Sequence, residues 1–393
     1  MEDLVEVVEG KVRLLVYNLE RFRRPDGVYE PAWAPVFYNP QMIINRDYSV
    51  LSLATLGLSR AVVVDALAGS GVRALRYCAE VVGIERCLAN DIDSGAYDLI
   101  RKNIELNALS ERVKALNEDA NVLLYKLKLS RERLDFIDID PYGSPSPFAR
   151  SATWAVARGG YIGLTATDLA ALSGSRPWAG SRRYWTSLTA TDVPKAVALR
   201  VLLGYAARVA AELDRYIEPL FYIVGRYFVR VLYRVRKGAS AADAMLAKDI
   251  GYFRYCGSCG FRDFVWEVES LTCPNCGTRV KYVGPLWIGS TLCGELVAKA
   301  RELLPRDYSY MQTYRELLKI LESQIAEAEI CPQIPYDVVH LSSRLRVSAP
   351  KVSQVVECLK SLGYRSSRYY GMPTAICTDA PYRDVVSCVK EPP

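Results

Sequence analysis

The chain has 393 residues, half of them hydrophobic and 24% charged, which excludes wholesale disorder and suits two or three domains. The net charge of +6 permits an anionic partner without demanding one. A single histidine, His340, excludes a two- or three-histidine metal site and argues against a Ser-His-Asp triad, so acid–base work falls to carboxylates, backbone groups or tyrosine.

No uncharged apolar run reaches the roughly 18 residues of a membrane span, and the N-terminal segment Met1–Leu15 is acidic and amphipathic rather than a signal peptide. The expectation is a cytoplasmic protein without a membrane partner. Glu6–Tyr17 alternates as short strands do, and Arg21–Pro35 is a proline-punctuated loop. Tyr48–Leu58 reads as an amphipathic helix. From Ala61 onward strand and helix patterns alternate: strands over 61–65, 86–90, 113–117, 134–139 and 161–165, and helices over 71–82, 96–106 and 193–213. Phe221–Val224 and Tyr227–Val235 read as two further strands joined tightly enough to make the last antiparallel. This alternation predicts an α/β, doubly wound, Rossmann-like sheet, with a domain boundary near residue 237. Beyond it the chain changes character: a turn-rich cysteine segment over 252–282, two helical stretches within 294–328, and a helix, helix and two-strand pattern over 335–379.

The segment Asp65-Ala-Leu-Ala-Gly69-Ser-Gly71 joins a strand to a helix start. Gly69 and Gly71 let the backbone approach a ligand, and Asp65 suits a cation or zwitterion better than a pyrophosphate. S-adenosylmethionine (SAM), with its ammonium and sulfonium, fits. Asp91 follows Gly71 by 20 residues at a strand end, where a carboxylate accepts ribose hydroxyls. Asp119 ends the third strand, where it can accept from the adenine amino group. Each of these carboxylates also suits a plain helix cap. The fourth strand ends in Asp138-Ile-Asp140-Pro141-Tyr142-Gly143, which resembles the acidic Asp-Pro-aromatic loop of amino-group methyltransferases. An exocyclic nucleobase amine is a weak nucleophile because its lone pair is delocalised. Asp140 and the Pro141 carbonyl can each accept one of its N–H groups, and Tyr142 can stack on the base.

Of the 11 cysteines, Cys256-x-x-Cys259 and Cys273-x-x-Cys276 form a zinc-ribbon signature, with four thiolates closing a tetrahedral structural site. The other seven stand singly, unlike a disulfide scaffold. Arginines collect at Arg182, Arg183, Arg226, Arg230, Arg234 and Arg236. A second group, Arg344, Arg346, Lys351, Arg365 and Arg368, lies near Tyr364, Tyr369 and Tyr370 and resembles a winged-helix nucleic-acid surface, with a solvated basic face as the plainer alternative.

Taken together, Val36-Phe37-Tyr38-Asn39-Pro40, Asn45-Arg46-Asp47, Asp65-Ala-Leu, Gly71-Val-Arg73, Asn90-Asp91-Ile, Asp119-Ala120, Asp138–Pro145 and Thr165-Ala-Thr-Asp168 resemble the tRNA guanine-26 N2-methyltransferases of archaea and eukaryotes. The resemblance spans most of the chain. It implies a class I SAM-dependent methyltransferase domain over 1–237 and a C-terminal α+β tRNA-binding domain over 238–393. The latter holds a zinc ribbon (252–282) and a winged-helix-like module (332–393). It implies methyl transfer, once or twice, to the exocyclic N2 of guanosine 26 of tRNA, with N2,N2-dimethylguanosine as the expected product. Arg46, Arg73 and Ala120 join Asp91 and Asp119 around SAM, and Phe37 joins Tyr142 on a flipped base. It implies no obligate protein partner. Tyr142 stands where the family usually has Phe, and Ser173 where many members have Cys; the cysteine quartet occurs in some members only. The alternatives are an amino-group methyltransferase acting on DNA adenine or protein glutamine, and an inactive nucleic-acid-binding regulator.

Overall fold

The computed structural model describes residues 4–330 and 334–391. Met1–Asp3, Cys331, the first two residues of the 332–393 segment and the last two of the chain lie outside it.

In chain order the first part contains the hairpin β1 (Leu4–Glu9) and β2 (Val12–Tyr17), α1 (Ile43–Thr55), β3 (Ala61–Asp65), α2 (Val72–Glu80), β4 (Ile84–Asn90), α3 (Ser94–Leu106), β5 (Val113–Leu116), α4 (Ala120–Leu129), β6 (Phe136–Ile139), α5 (Ser146–Ala155) and β7 (Tyr161–Ala166). There follow α6 (Leu169–Leu172), α7 (Pro177–Tyr184), α8 (Pro194–Ala211), β8 (Arg215–Val224), β9 (Val229–Lys237), α9 (Ala239–Asp249), β10 (Ile250–Tyr255), β11 (Arg262–Val265) and β12 (Lys281–Trp287). The rest of the chain forms α10 (Gly294–Asp307), α11 (Tyr314–Ala328), β13 (Tyr336–Asp337), α12 (Val338–Leu345), α13 (Val352–Ser361), β14 (Ser366–Arg368), β15 (Ala375–Thr378) and α14 (Tyr382–Lys390).

The main sheet runs β5-β4-β3-β6-β7-β9-β8. Strands β3 to β7 pair in parallel. Such strands are buried on both faces, which is why Ala61-Val-Val-Val and Phe136-Ile read as continuous apolar runs; every residue of β3 and β6 is buried. The chain leaves β3 for β4 and β5 on one side, then returns to β6 on the other. The crevice between the ends of β3 and β6 is therefore the topological switch point, where ligands of doubly wound sheets bind. Register sets Asp65 directly beside Asp138 at that crevice.

Two compact units make up the fold. The first comprises the described residues up to Thr165 with Leu232–Arg236 and Lys299–Leu318; the second comprises Ala166–Val231, Lys237–Ala298 and the described residues from Lys319. This division interleaves the chain and does not coincide with a linear cut at 237.

In the first unit, buried charges form a closed network rather than a basic surface. Glu9 accepts from Arg46 Nε and Nη2 at 2.6 Å each, from Arg76 at 3.0 Å and from the Tyr38 hydroxyl at 3.0 Å. Arg76 also pairs with Asp47 at 2.7 Å and Glu80 at 2.7 Å. Thr313 donates its amide and hydroxyl to Asp47, and Tyr308 and Tyr310 donate to Glu80. Burial alone would raise the Glu9 pKa; the Arg46 and Arg76 cations overcome it and bring the group down to about 2.

In the second unit α8 packs on β8 and β12, and β10 is central to the β11-β10-β12 sheet. The C-terminal helices α12, α13 and α14 close around Leu341, Val355, Leu359, Val385 and Val389, beside a small antiparallel β13-β15-β14 sheet. Cys358 and Cys388, expected to stand singly, are disulfide-bonded between α13 and α14. Several residues expected on basic or aromatic surfaces are buried, or half-buried and tied to other groups. Arg230 is 2% exposed. In the first unit, Arg234 donates to the Gly159 carbonyl and lies over the Tyr161 ring. Arg344 donates to Asp192, Tyr369 is buried, and Tyr370 bonds the backbone of Val224. Among the described residues no helix is long and apolar enough to cross a membrane.

Candidate active site

The glycine loop after β3 turns so tightly that Gly69 and Gly71 both take left-handed backbone angles, φ 53° and 80°. A Cβ on Gly69 would come 3.1 Å from the Phe37 carbonyl. The Gly69 amide donates to Asp91 Oδ2 at 2.9 Å, and Asp91 Oδ1 accepts from the Asp93 amide at 3.0 Å. The strand-end carboxylate thus shapes the loop from below. Asp119 caps α4, its Oδ1 accepting from Asn121 and Val122 at 2.9 and 3.0 Å, and Ala120 is buried as the first residue of that helix. Asp119 thus performs the helix capping expected at a strand-to-helix junction, whereas Asp91 ties two loop amides and leaves the capping of α3 to Asp93.

Asp65 differs. It is 1% exposed, and neither carboxylate oxygen has a hydrogen-bond partner. A buried, unpaired carboxylate is costly unless a ligand completes it. Burial first and the neighbouring Asp138 second push its pKa up to about 8, against the pull of Arg73. An ammonium group placed here would supply the missing counter-charge and donors. The residues present therefore fit SAM: an orphaned carboxylate at the switch point, an open glycine loop and Asp91 at the end of β4.

Asp140 ends β6 with its side chain 18% exposed and in contact with Arg73 Nη2. Arg73 is itself held on all sides: Nη1 donates to Ser49 Oγ at 2.9 Å, Nη2 to Asn45 Oδ1 at 3.1 Å, and Nε lies 3.7 Å from Asp138. The fully buried Tyr77 hydroxyl donates to Asp138 at 2.5 Å. Helices α1 and α2 thus fix one guanidinium, which fixes Asp140. Pro141 is buried, whereas Tyr142 is 78% exposed and meets the half-exposed Phe37 edge-on, with ring centroids 6.1 Å apart. Two aromatic rings therefore stand in solvent beside a positioned carboxylate.

All the sequence-predicted residues of this site lie in the first unit. The structure brings Asp65, Arg73 and Asp140 together, as it does Phe37 and Tyr142. Arg46 is buried with its fork on Glu9, and Nη2 also donates to the Asn39 carbonyl at 3.1 Å. Sequence reasoning missed Glu9, Asn45, Ser49 and Tyr77 as supports. Asn45 lay in a quoted motif, but Glu9 carries no local signal because its partners are 37 and 67 residues away.

A second cluster lies in the second unit. The four sulfurs of Cys256, Cys259, Cys273 and Cys276 all fall within 4.8 Å of one another, with pairs at 3.6 and 3.7 Å. A tetrahedral zinc with bonds of about 2.3 Å requires sulfurs about 3.8 Å apart. Matching turns present them: Gly260 donates to the Cys256 carbonyl at 2.9 Å and Gly277 to the Cys273 carbonyl at 3.0 Å. The quartet is compatible with a structural zinc.

A family model described as N2,N2-dimethylguanosine tRNA methyltransferase matches residues 19–390. The chain belongs to this family. Among relatives of this methyltransferase family, the tRNA (guanine(26)-N(2))-dimethyltransferase of Saccharolobus solfataricus is 38% identical over 98% of this chain and 99% of its own. That of Sulfolobus acidocaldarius is 34% identical over 99% and 98%. The solved Trm1 of Pyrococcus horikoshii, in complex with S-adenosyl-L-methionine, superposes with a TM-score of 0.86 at 30% identity, covering 99% of this chain and all of that one.

Proposed function

We propose that the protein transfers methyl groups from SAM to the exocyclic N2 of guanosine 26 in tRNA, giving N2,N2-dimethylguanosine. The observation that carries this reading is the positioned Asp140 carboxylate beside the exposed Phe37–Tyr142 pair at the switch point. Membership of the family supports this reading over the DNA, protein and regulator alternatives.

Bound SAM supplies an electrophilic methyl on a sulfonium. Asp65 binds its ammonium, Asp91 its ribose and Asp119 with Ala120 its adenine; Gly69 and Gly71 leave room for the backbone to approach. Arg46 and Arg73 add positive charge for the methionine carboxylate. Phe37 and Tyr142 hold the guanine once it leaves its stack. Asp140 accepts one amine N–H and the Pro141 carbonyl the other, which localises the nitrogen lone pair toward the methyl. The amine nitrogen takes the methyl as the methyl's bond to the sulfonium breaks and leaves a neutral thioether, and the nitrogen's proton would pass to Asp140 and then to water. A second round on the monomethyl amine uses the same acceptor.

In chain order a methyltransferase domain is assigned to 1–237 and a tRNA-binding domain to 238–393, with Lys299–Leu318 of the latter belonging to the first compact unit. Within the tRNA-binding domain lie the zinc ribbon of 252–282 and the winged-helix-like module of 332–393, which offers the exposed Arg346, Lys351, Arg365 and Arg368 to RNA. A cytoplasmic location accords with a tRNA substrate. The test is incubation with methyl-labelled SAM and unmodified tRNA transcripts bearing guanosine or adenosine at position 26, followed by nucleoside analysis. Label in N2,N2-dimethylguanosine from the guanosine transcript alone is expected; equal label in both transcripts would refute the assigned position.

A further inference from the structure

Helix α7 carries a surface that the catalytic reading does not use. Its sequence context is Arg176-Pro-Trp178-Ala-Gly-Ser-Arg182-Arg183-Tyr184-Trp185, and no carboxylate occurs between Ser173 and Ser187. Its inner face is anchored. A Cβ on Gly180 would fall 2.4 Å from the Ala171 carbonyl oxygen and 2.1 Å from Leu188, so the helix lies close against its neighbours. The buried Tyr184 donates its hydroxyl to Asp168 at 2.6 Å. Arg208 donates to the Tyr184 and Trp185 carbonyls at 2.8 and 2.7 Å and to Thr186 Oγ1 at 3.1 Å.

The outer face carries the two most exposed tryptophans of the chain, Trp178 at 78% and Trp185 at 75%. Burial accounts for neither ring. Trp185 also sits in the left-handed region (φ 52°, ψ 46°), where a bulky side chain is disfavoured. Conformational preference and the hydrophobic effect thus both argue against tryptophan here. Arg176 and Arg182 are exposed, and their side chains have no partner among the described residues. Arg183 pairs with Asp168 at 2.9 Å. Seven residues of helix separate the two tryptophan backbones by about 10 Å, the rise of about three nucleotide steps.

We propose that α7 and Trp185 form a stacking platform for unpaired nucleotides of the tRNA, with Arg176 and Arg182 against the adjoining phosphates. The inference rests on the tRNA reading above and adds a contact to it. Rigid aromatic rings interleaved with free guanidinium groups, in a segment with no carboxylate of its own and with the neighbouring Asp168 taken by Arg183 and Tyr184, match the π-faces and charge of single-stranded RNA.

The test uses full-length Trp178→Ala, Trp185→Gly and Arg182→Gln variants. Glycine accepts the left-handed backbone, so Trp185→Gly removes the ring without endangering the fold. The probes are an unmodified tRNA transcript and a blunt RNA duplex without unpaired nucleotides. Expected is a Kd for the transcript about 5- to 100-fold weaker for each ring removed, loss of the tryptophan quenching seen on binding, and unchanged affinity for the duplex and for SAM. Arg182→Gln is expected to lower the salt slope of log Kd by about one. Wild-type affinity in both ring variants, with tRNA still methylated by the wild type, overturns the platform and leaves the function intact. A wild type that neither binds nor methylates tRNA overturns both. An equal loss for duplex and transcript overturns stacking, and self-association abolished by Trp178→Ala would make the face an interface between copies instead.

Discussion

Asp65 concentrates the site's electrostatics in one side chain. It is buried without a partner beside Asp138, and its pKa stands at about 8 against 3.8 for the ordinary group. A folded-state pKa above the unfolded one means that the native state holds the extra proton, so stability falls as pH rises from about 4 toward about 8. Thermal melts of the SAM-free protein should show this, and Asp65→Asn should raise Tm more at pH 8 than at pH 5 while weakening SAM binding in a titration. Equal Tm gains at both values would contradict the assignment. The four strand-end aspartates were legible because a parallel strand delivers its last residue to the binding edge whatever the rest of the fold does. Their distinct roles were not legible. Asp91 and Asp119 satisfy loop and helix amides, whereas Asp65 does not, and that difference depends on backbone geometry set by Gly69, Asp93 and Asn121. The basic residues were least legible: Arg230, Arg234 and Arg344 look like surface charge in sequence, yet Arg230 is buried, and Arg234 and Arg344 are half-buried on a carbonyl, a ring and a carboxylate distant in the chain.

At the scale of elements, the β3-to-β7 strands and α2, α3 and α8 fall within a few residues of their predicted bounds, since continuous apolar runs and amphipathic periods are local signals. Helix α1 starts at Ile43 rather than Tyr48, because Asn39 and Pro40 open a short helical turn that leads directly into it. Helices α4, α5 and α9 went unpredicted: each is short, and α4 takes its cap from Asp119, a residue read for its ligand chemistry. The α13–α14 disulfide had no sequence signal, as two lone cysteines 30 residues apart specify no pairing. Closing a loop of that length is worth about 3–4 kcal/mol in the chain-entropy model. Replacing Cys358 and Cys388 with serine should therefore lower Tm, and a reductant should lower the wild-type Tm but not that of the double variant. The same Tm in wild type and double variant would deny the bond a structural role.

Considered as a whole molecule, the chain separates its chemistry: every candidate residue for SAM or for the reacting guanine is in the first unit, and the cysteine quartet and the α7 tryptophans are in the second. This interleaving was not legible because Lys299–Leu318 returns to the first unit from far along the chain, through Tyr308, Tyr310 and Thr313 on Glu80 and Asp47. Removal of zinc by a chelator should release one metal per chain, lower Tm and weaken tRNA binding, with SAM affinity unchanged; loss of SAM affinity on chelation would contradict a purely structural metal. In the proposed mechanism Asp140 positions the guanine amine without holding the cofactor. The most direct measurement is single-turnover methylation of the unmodified tRNA transcript by Asp140→Ala, alongside its SAM titration. Expected are SAM affinity like that of the wild type and a methyl-transfer rate lower by about 100-fold or more. Wild-type turnover, or a loss explained entirely by SAM no longer binding, would contradict it.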